Sequence, residues 1–223
     1  MNSILEHVRR PHAVAPEPSG AQSAVDAIYA RLAPVYDLVY GVLLQPGRRR
    51  AMTRLAPRPG ERILEVGVGT AITARRYPPG CRVVAIDVSE PMLRRAAARL
   101  ARQRLGHVGL CRMDAMRLAF DEATFDAVYV PYLLNVVPDP LRAAREIARV
   151  CKPGGRVVFL NHFDRSQEEG PWDRWLGRLA GVVSGVNWHL NLKPLLVATG
   201  LAELSVEPVN VPRVSAVVVC RKP

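Results

Sequence analysis

The strongest constraint on this chain is a change of rhythm at residue 61. Five short runs rich in β-branched residues follow, at 62–68 (RILEVGV), 82–88 (RVVAIDV), 107–113 (HVGLCRM), 125–131 (FDAVYVP) and 155–161 (GRVVFLN). Segments of helical spacing lie between them, among them PMLRRAAARLARQRL and PLRAAREIARVC. Pro91 and Pro140 stand where the first turn of a helix tolerates proline. This alternation predicts a parallel sheet with helices on both faces. The tail departs from it: LAELSVEPVN and SAVVVCRKP are separated only by VPRV, too short for a parallel crossover. The last two strands are therefore predicted to run antiparallel to each other.

Before residue 61 the pattern is looser. Residues 1–20 are broken by Pro11, Pro16 and Pro18, and AQSAVDAIYARLA then reads as a helix through Val25, Ile28, Tyr29 and Leu32, ended by Pro34. An apolar patch running into arginines follows, VYDLVYGVLLQPGRRRAMTRLAP. We divide the chain into residues 1–50, a leader and helical lid or membrane-docking segment, and residues 51–223, a core with a lid-like insertion at 164–194. A length of 223 residues with 49% hydrophobic content suits one core of that size. No apolar run reaches the roughly 18 residues of a membrane-spanning helix, and the first residues lack the apolar centre of a signal peptide, so a cytoplasmic location is expected. The four cysteines (Cys81, Cys111, Cys151, Cys220) form no CxxC pair and the five histidines are scattered. That argues for reduced thiols and against a metal site. The net charge of +11 implies attraction to a polyanion, either nucleic acid or an anionic membrane surface.

The first strand runs into a glycine loop, ILEVGVGTAITARRY. A strand, a glycine loop and a helix in this order suggest a dinucleotide site, whose fingerprint is GxGxxG. Gly67 and Gly69 fit, but the third position falls on Ile72, which disfavours a pyrophosphate. Glu65 at the strand's carboxyl end would also repel phosphate, and suits a cofactor carrying an amino group and a sulfonium. Asp87 ends the second strand and is placed for ribose hydroxyls. Asp114 follows the third in RMDAM, placed for an adenine amino group. Each acid alone also fits a turn or helix cap; three at successive strand ends point to a cationic nucleoside.

These motifs resemble those of the class I S-adenosylmethionine-dependent methyltransferases. ILEVGVGT resembles their first motif, VVAIDVSEPML the second, MDAMRLAFDEATFDAVYV the next pair, and ARVCKPGGRVVFLNH the entry to their fifth strand. The resemblance implies a Rossmann-like seven-stranded α/β sheet, mostly parallel with an antiparallel last strand, flanked by helices. It implies S-adenosyl-L-methionine as cofactor, with S-adenosyl-L-homocysteine as product. Its binding residues would be Glu65, Gly67, Val68, Gly69, Thr70, Asp87, Val88, Met92, Asp114, Ala115 and Met116. One departure is Ala71, where the family's loop usually has a third glycine.

The acceptor is less constrained. Base amino-methyltransferases carry an Asn/Asp-Pro-Pro-aromatic motif after the fourth strand, and VPYLLN lacks it, so nucleic acid is not the expected partner. YARLAPVYDLVYG, GRRRA and LNHF resemble the bacterial phospholipid N-methyltransferases, which convert phosphatidylethanolamine stepwise to phosphatidylcholine; quinone-ring C-methyltransferases share the same core. The resemblance implies a phospholipid headgroup substrate and peripheral association with an anionic membrane surface at the inner face of the cell membrane, by a protein monomeric in solution. Aromatic faces suit a quaternary ammonium, and the amine must lose a proton to attack. Tyr29, Tyr36, Tyr132 and His162 are the catalytic candidates, with His162 or a tyrosine accepting the proton. Arg49 or Arg165 is a candidate for the phosphodiester. Interface contact falls to Leu38, Val39, Val42, Leu43 and Leu44 beside Arg48, Arg49 and Arg50, and to Trp172, Trp175, Leu176, Leu179, Val182 and Val183 with Arg174 and Arg178.

Overall fold

The structure is a computed structural model that describes residues 44–163, 190–210 and 215–223. A first helix, α1 (Gln45–Leu55), precedes β1 (Arg62–Val66), β2 (Arg82–Asp87), α2 (Glu90–Gln103), β3 (Val108–Arg112), β4 (Phe125–Pro131) and α3 (Pro140–Val150). β5 (Cys151–Asn161), α4 (Leu192–Thr199), β6 (Ala202–Val209) and β7 (Ser215–Arg221) complete the described elements. The seven strands form one sheet in the order β3-β2-β1-β4-β5-β7-β6. β1 to β5 pair in parallel, while β7 runs antiparallel to both β5 and β6. The expected architecture is thus the observed one, including the antiparallel tail.

Chain order reverses between β1 and β4, whose connections leave in opposite directions. In such sheets a crevice opens at that switch point, outside the carboxyl ends of the strands. The central strands read as near-continuous apolar runs because both of their faces are covered. Leu64, Val66, Val128 and Val130 face one buried cluster with Ala144, Ile147 and Leu195. Ile63, Ala127, Tyr129 and Val158 face the other with Ala51, Met52, Leu55 and Leu93. Each fully buried side chain of this kind contributes roughly 1.5–3 kcal/mol.

Helix starts follow local chemistry. Asp139 caps α3 by accepting from Arg142 N–H at 2.9 Å, and proline occupies the first turn of α1, α2 and α3. Two elements lie outside the sequence expectation. α4 begins inside the segment assigned to the insertion, capped by Asn191 and closed by Gly200. β5 starts at Cys151, four residues early, because a register shift opposite Phe125/Ala127 absorbs Lys152 to Gly155.

α1 runs through residue 50, and its attachment is specific. Its last carbonyls have no partner within the helix, and the Arg156 guanidinium on β5 donates to both Leu55 O and Ala56 O. The same guanidinium donates to both oxygens of Glu61, at 2.8 and 2.6 Å. Burial pushes the Glu61 carboxyl up, but the hydrogen bonds from Arg156 and from Arg58 N–H outweigh it and leave it below the usual range. Replacing Arg156 with alanine should lower the unfolding free energy by about 2–4 kcal/mol, read by urea titration. In a double-mutant cycle with Glu61→Gln the two losses should couple by at least about 0.5 kcal/mol. Additive losses would mean that the helix is not clamped as a unit.

Candidate active site

The residues expected to hold the cofactor meet at the carboxyl ends of β1, β2 and β3. The loop after β1 folds back on β2: the amides of Gly67 and Val68 both donate to Ile86 O at 2.9 Å, and Gly69 N–H donates to Asp87 Oδ2 at 2.8 Å. The other Asp87 oxygen accepts from Ser89 N–H at 2.9 Å, tying the loop to the start of α2. Gly67 has φ +81°, a conformation that favours glycine, and a Cβ there would come 2.9 Å from Leu133 Cδ1 and push that side chain aside. Ala71 takes up the left-handed turn with φ 57° although it carries a methyl group.

The expected helix after the loop is absent among the described residues. A single 3-10 turn, Ala74–Arg76, stands in its place, and Tyr77 is extended (φ −78°, ψ 122°). Pro78 and Pro79 explain the difference, because a residue before proline is forced out of the helical region.

Several features fit S-adenosylmethionine. Asp87 and Asp114 are half-buried rather than enclosed, and Val88 beside Asp87 is 54% exposed, an apolar face for an adenine ring. Met92 and Met116 are half-buried on the same rim, while Val68, Thr70 and Ala115 are buried beneath it. Nothing lies within 4 Å of where a Cβ on Gly69 would point, so the loop is open on that side. One oxygen of Asp114 accepts from Met116 N–H at 2.8 Å, the turn role anticipated as the alternative for this acid.

Glu65 is placed differently from the other acids. It is 1% exposed and accepts from Tyr77 Oη at 2.8 Å, with Arg48 and Thr73 as further polar neighbours. Burial pushes its carboxyl from 4.5 to about 7, against the opposing pull of Tyr77, Arg48 and Thr73. Tyr129, its register partner on β4, is also buried, and its hydroxyl makes no well-formed hydrogen bond among the described residues; Thr73 is its weak polar neighbour.

A second group gathers at the carboxyl ends of β4 and β5. Tyr132 follows β4 in a left-handed conformation (φ 53°) and His162 follows β5; their rings are 5.4 Å apart. The Arg48 guanidinium lies over the Tyr132 ring at 5.2 Å. Asn210, at the end of β6, donates to Tyr132 Oη at 3.0 Å and to Ser215 Oγ at 3.1 Å. Ser215 Oγ lies 3.0 Å from His162 Nδ1, the donor being set by the imidazole tautomer. The His162 backbone is held at both ends by Asn135, its N–H donating to Oδ1 and its C=O accepting from Nδ2. Gly47 N–H donates to Asn210 Oδ1 at 2.9 Å, and a Cβ on Gly47 would come within 3.0 Å of both Asn210 and Tyr132. The start of α1 can close on this group only because residue 47 lacks a side chain. Burial pushes the Tyr132 phenol up, partly offset by Arg48, Asn210 and Ser215.

The structure thus brings Tyr132 and His162 together and adds Asn210, Ser215 and Asn135, which no local motif marks, and Arg48, one of the arginines expected at the membrane interface. Tyr29, Tyr36, Arg165 and the apolar stretches at 38–43 and 172–183 lie outside the described residues.

The Glu65 shift has a testable sign. The folded protein holds this proton more tightly than the unfolded chain between pH 4.5 and 7, so this group makes stability fall as pH rises through that window. The total is about 3 kcal/mol. Without cofactor, Glu65→Gln should match the parent near pH 4.5 and exceed it at pH 8, read by urea unfolding at each pH. Parallel pH profiles for the two proteins would refute the raised value.

Comparison with known proteins places this geometry in context. The family described as "Methyltransferase domain" matches residues 64–159. A phosphatidylethanolamine N-methyltransferase of Cereibacter sphaeroides is 40% identical over 167 residues, 74% of this chain and 80% of that protein. A demethylmenaquinone methyltransferase of Halalkalibacterium halodurans is 34% identical over 147 residues, 62% of this chain and 60% of its own length. Among solved structures, the [4+2]-cyclase SpnF superposes with a TM-score of 0.71 at 23% identity, covering 95% of this chain and 99% of that one. That likeness concerns the fold alone, which here carries a cyclase as well. The loop, the acids at the strand ends and the extent of the first relative agree: the chain belongs to the class I S-adenosylmethionine-dependent methyltransferases.

Proposed function

We propose that this methyltransferase acts on the amine of phosphatidylethanolamine and of its mono- and dimethyl forms, at an anionic membrane surface. The observation that carries this reading is the Tyr132 ring, which lies against His162 and already holds a cation, Arg48, over its face. A methylated ammonium has no N–H to donate in its last form, and an aromatic face is the group that still attracts it, by about 0.5–2 kcal/mol. The relative from Cereibacter sphaeroides supports the same acceptor.

When bound, S-adenosylmethionine supplies an electrophilic methyl group on sulfur and departs as S-adenosylhomocysteine. Asp87, Asp114 and the Gly67–Gly69 loop would fix its nucleoside end, and Glu65 its amino group. The acceptor amine must lose a proton before or during attack. His162 is suited to take it: with Nδ1 protonated and donating to Ser215, its Nε2 keeps a lone pair. Tyr132, held by Asn210, orients the amine against its ring. Residues 1–50 and 164–194, with Tyr29 and Tyr36, would supply the lid and the contact with the membrane. The family also includes quinone-ring methylation, named for the relative from Halalkalibacterium halodurans, which is the second reading.

The decisive assay supplies labelled S-adenosylmethionine with vesicles of phosphatidylethanolamine and an anionic lipid, followed by lipid separation. Labelled mono-, di- or trimethylated product is expected. Product from a quinone precursor alone would replace the lipid assignment with the second reading. Within the assay His162→Asn should lower kcat by about 100-fold or more, and Tyr132→Phe by less than tenfold, because the ring remains. Equal losses for Tyr132→Phe and Tyr132→Ala would remove the aromatic face from the argument.

A further inference from the structure

Beside α1 lies a cavity of about 490 Å³ that the methyl-transfer site does not use. Arg49, Met52 and Thr53 line it from the helix, and Arg75 and Arg76 from the 3-10 turn after the glycine loop. Three guanidinium groups therefore face one space, and no acidic residue is among its lining residues. Other arginines nearby have acidic partners: Arg50 and Arg54 share Glu207, and Arg156 pairs with Glu61. Arg49, Arg75 and Arg76 have no carboxylate partner among the described residues. Among the described residues Arg76 donates only to the neutral Gln45 Oε1, at 3.4 Å, which ties the turn to the start of the helix. Burial lowers the Arg76 guanidinium, and the like charges of Arg49 and Arg75 lower it further. Repulsion of this kind is relieved by a bound anion. Guanidinium groups bind phosphate oxygens in bidentate pairs, which favours a tetrahedral oxyanion over a single carboxylate.

We propose that Arg49, Arg75 and Arg76 form a phosphate subsite that takes the phosphodiester of a phospholipid headgroup on the membrane surface beside the acceptor site. Arg48 and Arg49 are consecutive on the first turn of α1, one over the Tyr132 ring and the other in the cavity. The cavity therefore lies on a different face of the helix from the Tyr132 group. Identification of the anion as a headgroup rests on the lipid reading above; the anion site itself does not.

The test uses the full chain with Arg49, Arg75 and Arg76 all changed to glutamine. A control of equal charge loss changes Arg95, Arg102 and Arg145, exposed on α2 and α3. Thermal melting checks both folds, and the exposed Arg75→Gln alone replaces the triple should it fail to fold. The readouts are co-sedimentation with phosphatidylcholine vesicles containing phosphatidylglycerol, calorimetric binding of inorganic phosphate, and KM for phosphatidylethanolamine in mixed vesicles. The site triple should weaken vesicle binding and raise KM at least tenfold, and lose phosphate binding, while the control changes each less than threefold. Equal losses in the control would overturn the subsite in favour of net charge. Lost phosphate binding with unchanged vesicle binding and KM would assign the cavity to a free anion and overturn the headgroup. If the parent protein methylates no phosphatidylethanolamine but its vesicle binding still depends on these arginines, the substrate reading fails and the subsite stands.

Discussion

The Arg156 clamp is the contact on which the rest of the acceptor side depends. One guanidinium, reaching out from the middle of the sheet, closes the carbonyl end of α1 and grips Glu61 at the entry to β1. A helix with three arginines in succession at its start has little reason to lie on a sheet by hydrophobicity alone. Ala51, Met52 and Leu55 are buried, but the outward face is charged. The clamp fixes its far end, and the Gly47–Asn210 hydrogen bond fixes the near one. Between those points the helix presents Arg48 to Tyr132 and Arg49 to the arginine cavity. Loosening either end would move both groups together, because a helix transmits displacement as a rod.

The antiparallel tail acquires a purpose from the same contacts. Asn210 lies at the end of β6 and Ser215 at the start of β7, and these two residues are where the tail meets the ends of β4 and β5. Asn210 uses both amide hydrogens and its oxygen on Tyr132, Ser215 and Gly47. Its left-handed backbone (φ 68°) suits asparagine better than most residues. Family fold and particular site thus meet in one residue: the sheet needs β6 paired with β7, and the pocket needs β6 to end on an amide.

Much of the fold was legible because buried parallel strands advertise themselves. RILEV, RVVAID and FDAVYVP are apolar on both faces, and VPRV is too short for anything but an antiparallel connection. The glycine loop and the acids after β2 and β3 were legible for a related reason, since local backbone chemistry fixes them. The helix expected after the loop was not found, because Pro78 and Pro79 overrule the family pattern. α4 carries cap residues, Asn191 and Gly200, but its eight residues are too few for a helical period that would separate it from the insertion before it. Asn210, Ser215 and Asn135 were invisible for a deeper reason: each acts through partners that the fold brings from distant parts of the chain, and no spacing encodes that.

The arginine run at the start of α1 shows the difference most clearly. Read as sequence, Arg48, Arg49 and Arg50 form a single basic patch, suited as a whole to a membrane surface. On a helix successive side chains turn by roughly 100°, so a run of three cannot share one environment. Arg48 turns inward, over Tyr132 and toward Glu65; Arg49 turns to Arg75 and Arg76; Arg50 joins Arg54, one turn on, against Glu207. The first is bound to an aromatic face, the last shares a carboxylate, and the middle one stands among like charges with no carboxylate partner among the described residues. The same net charge therefore does three different things, and only its distribution around the helix says which arginine is left to meet an anion.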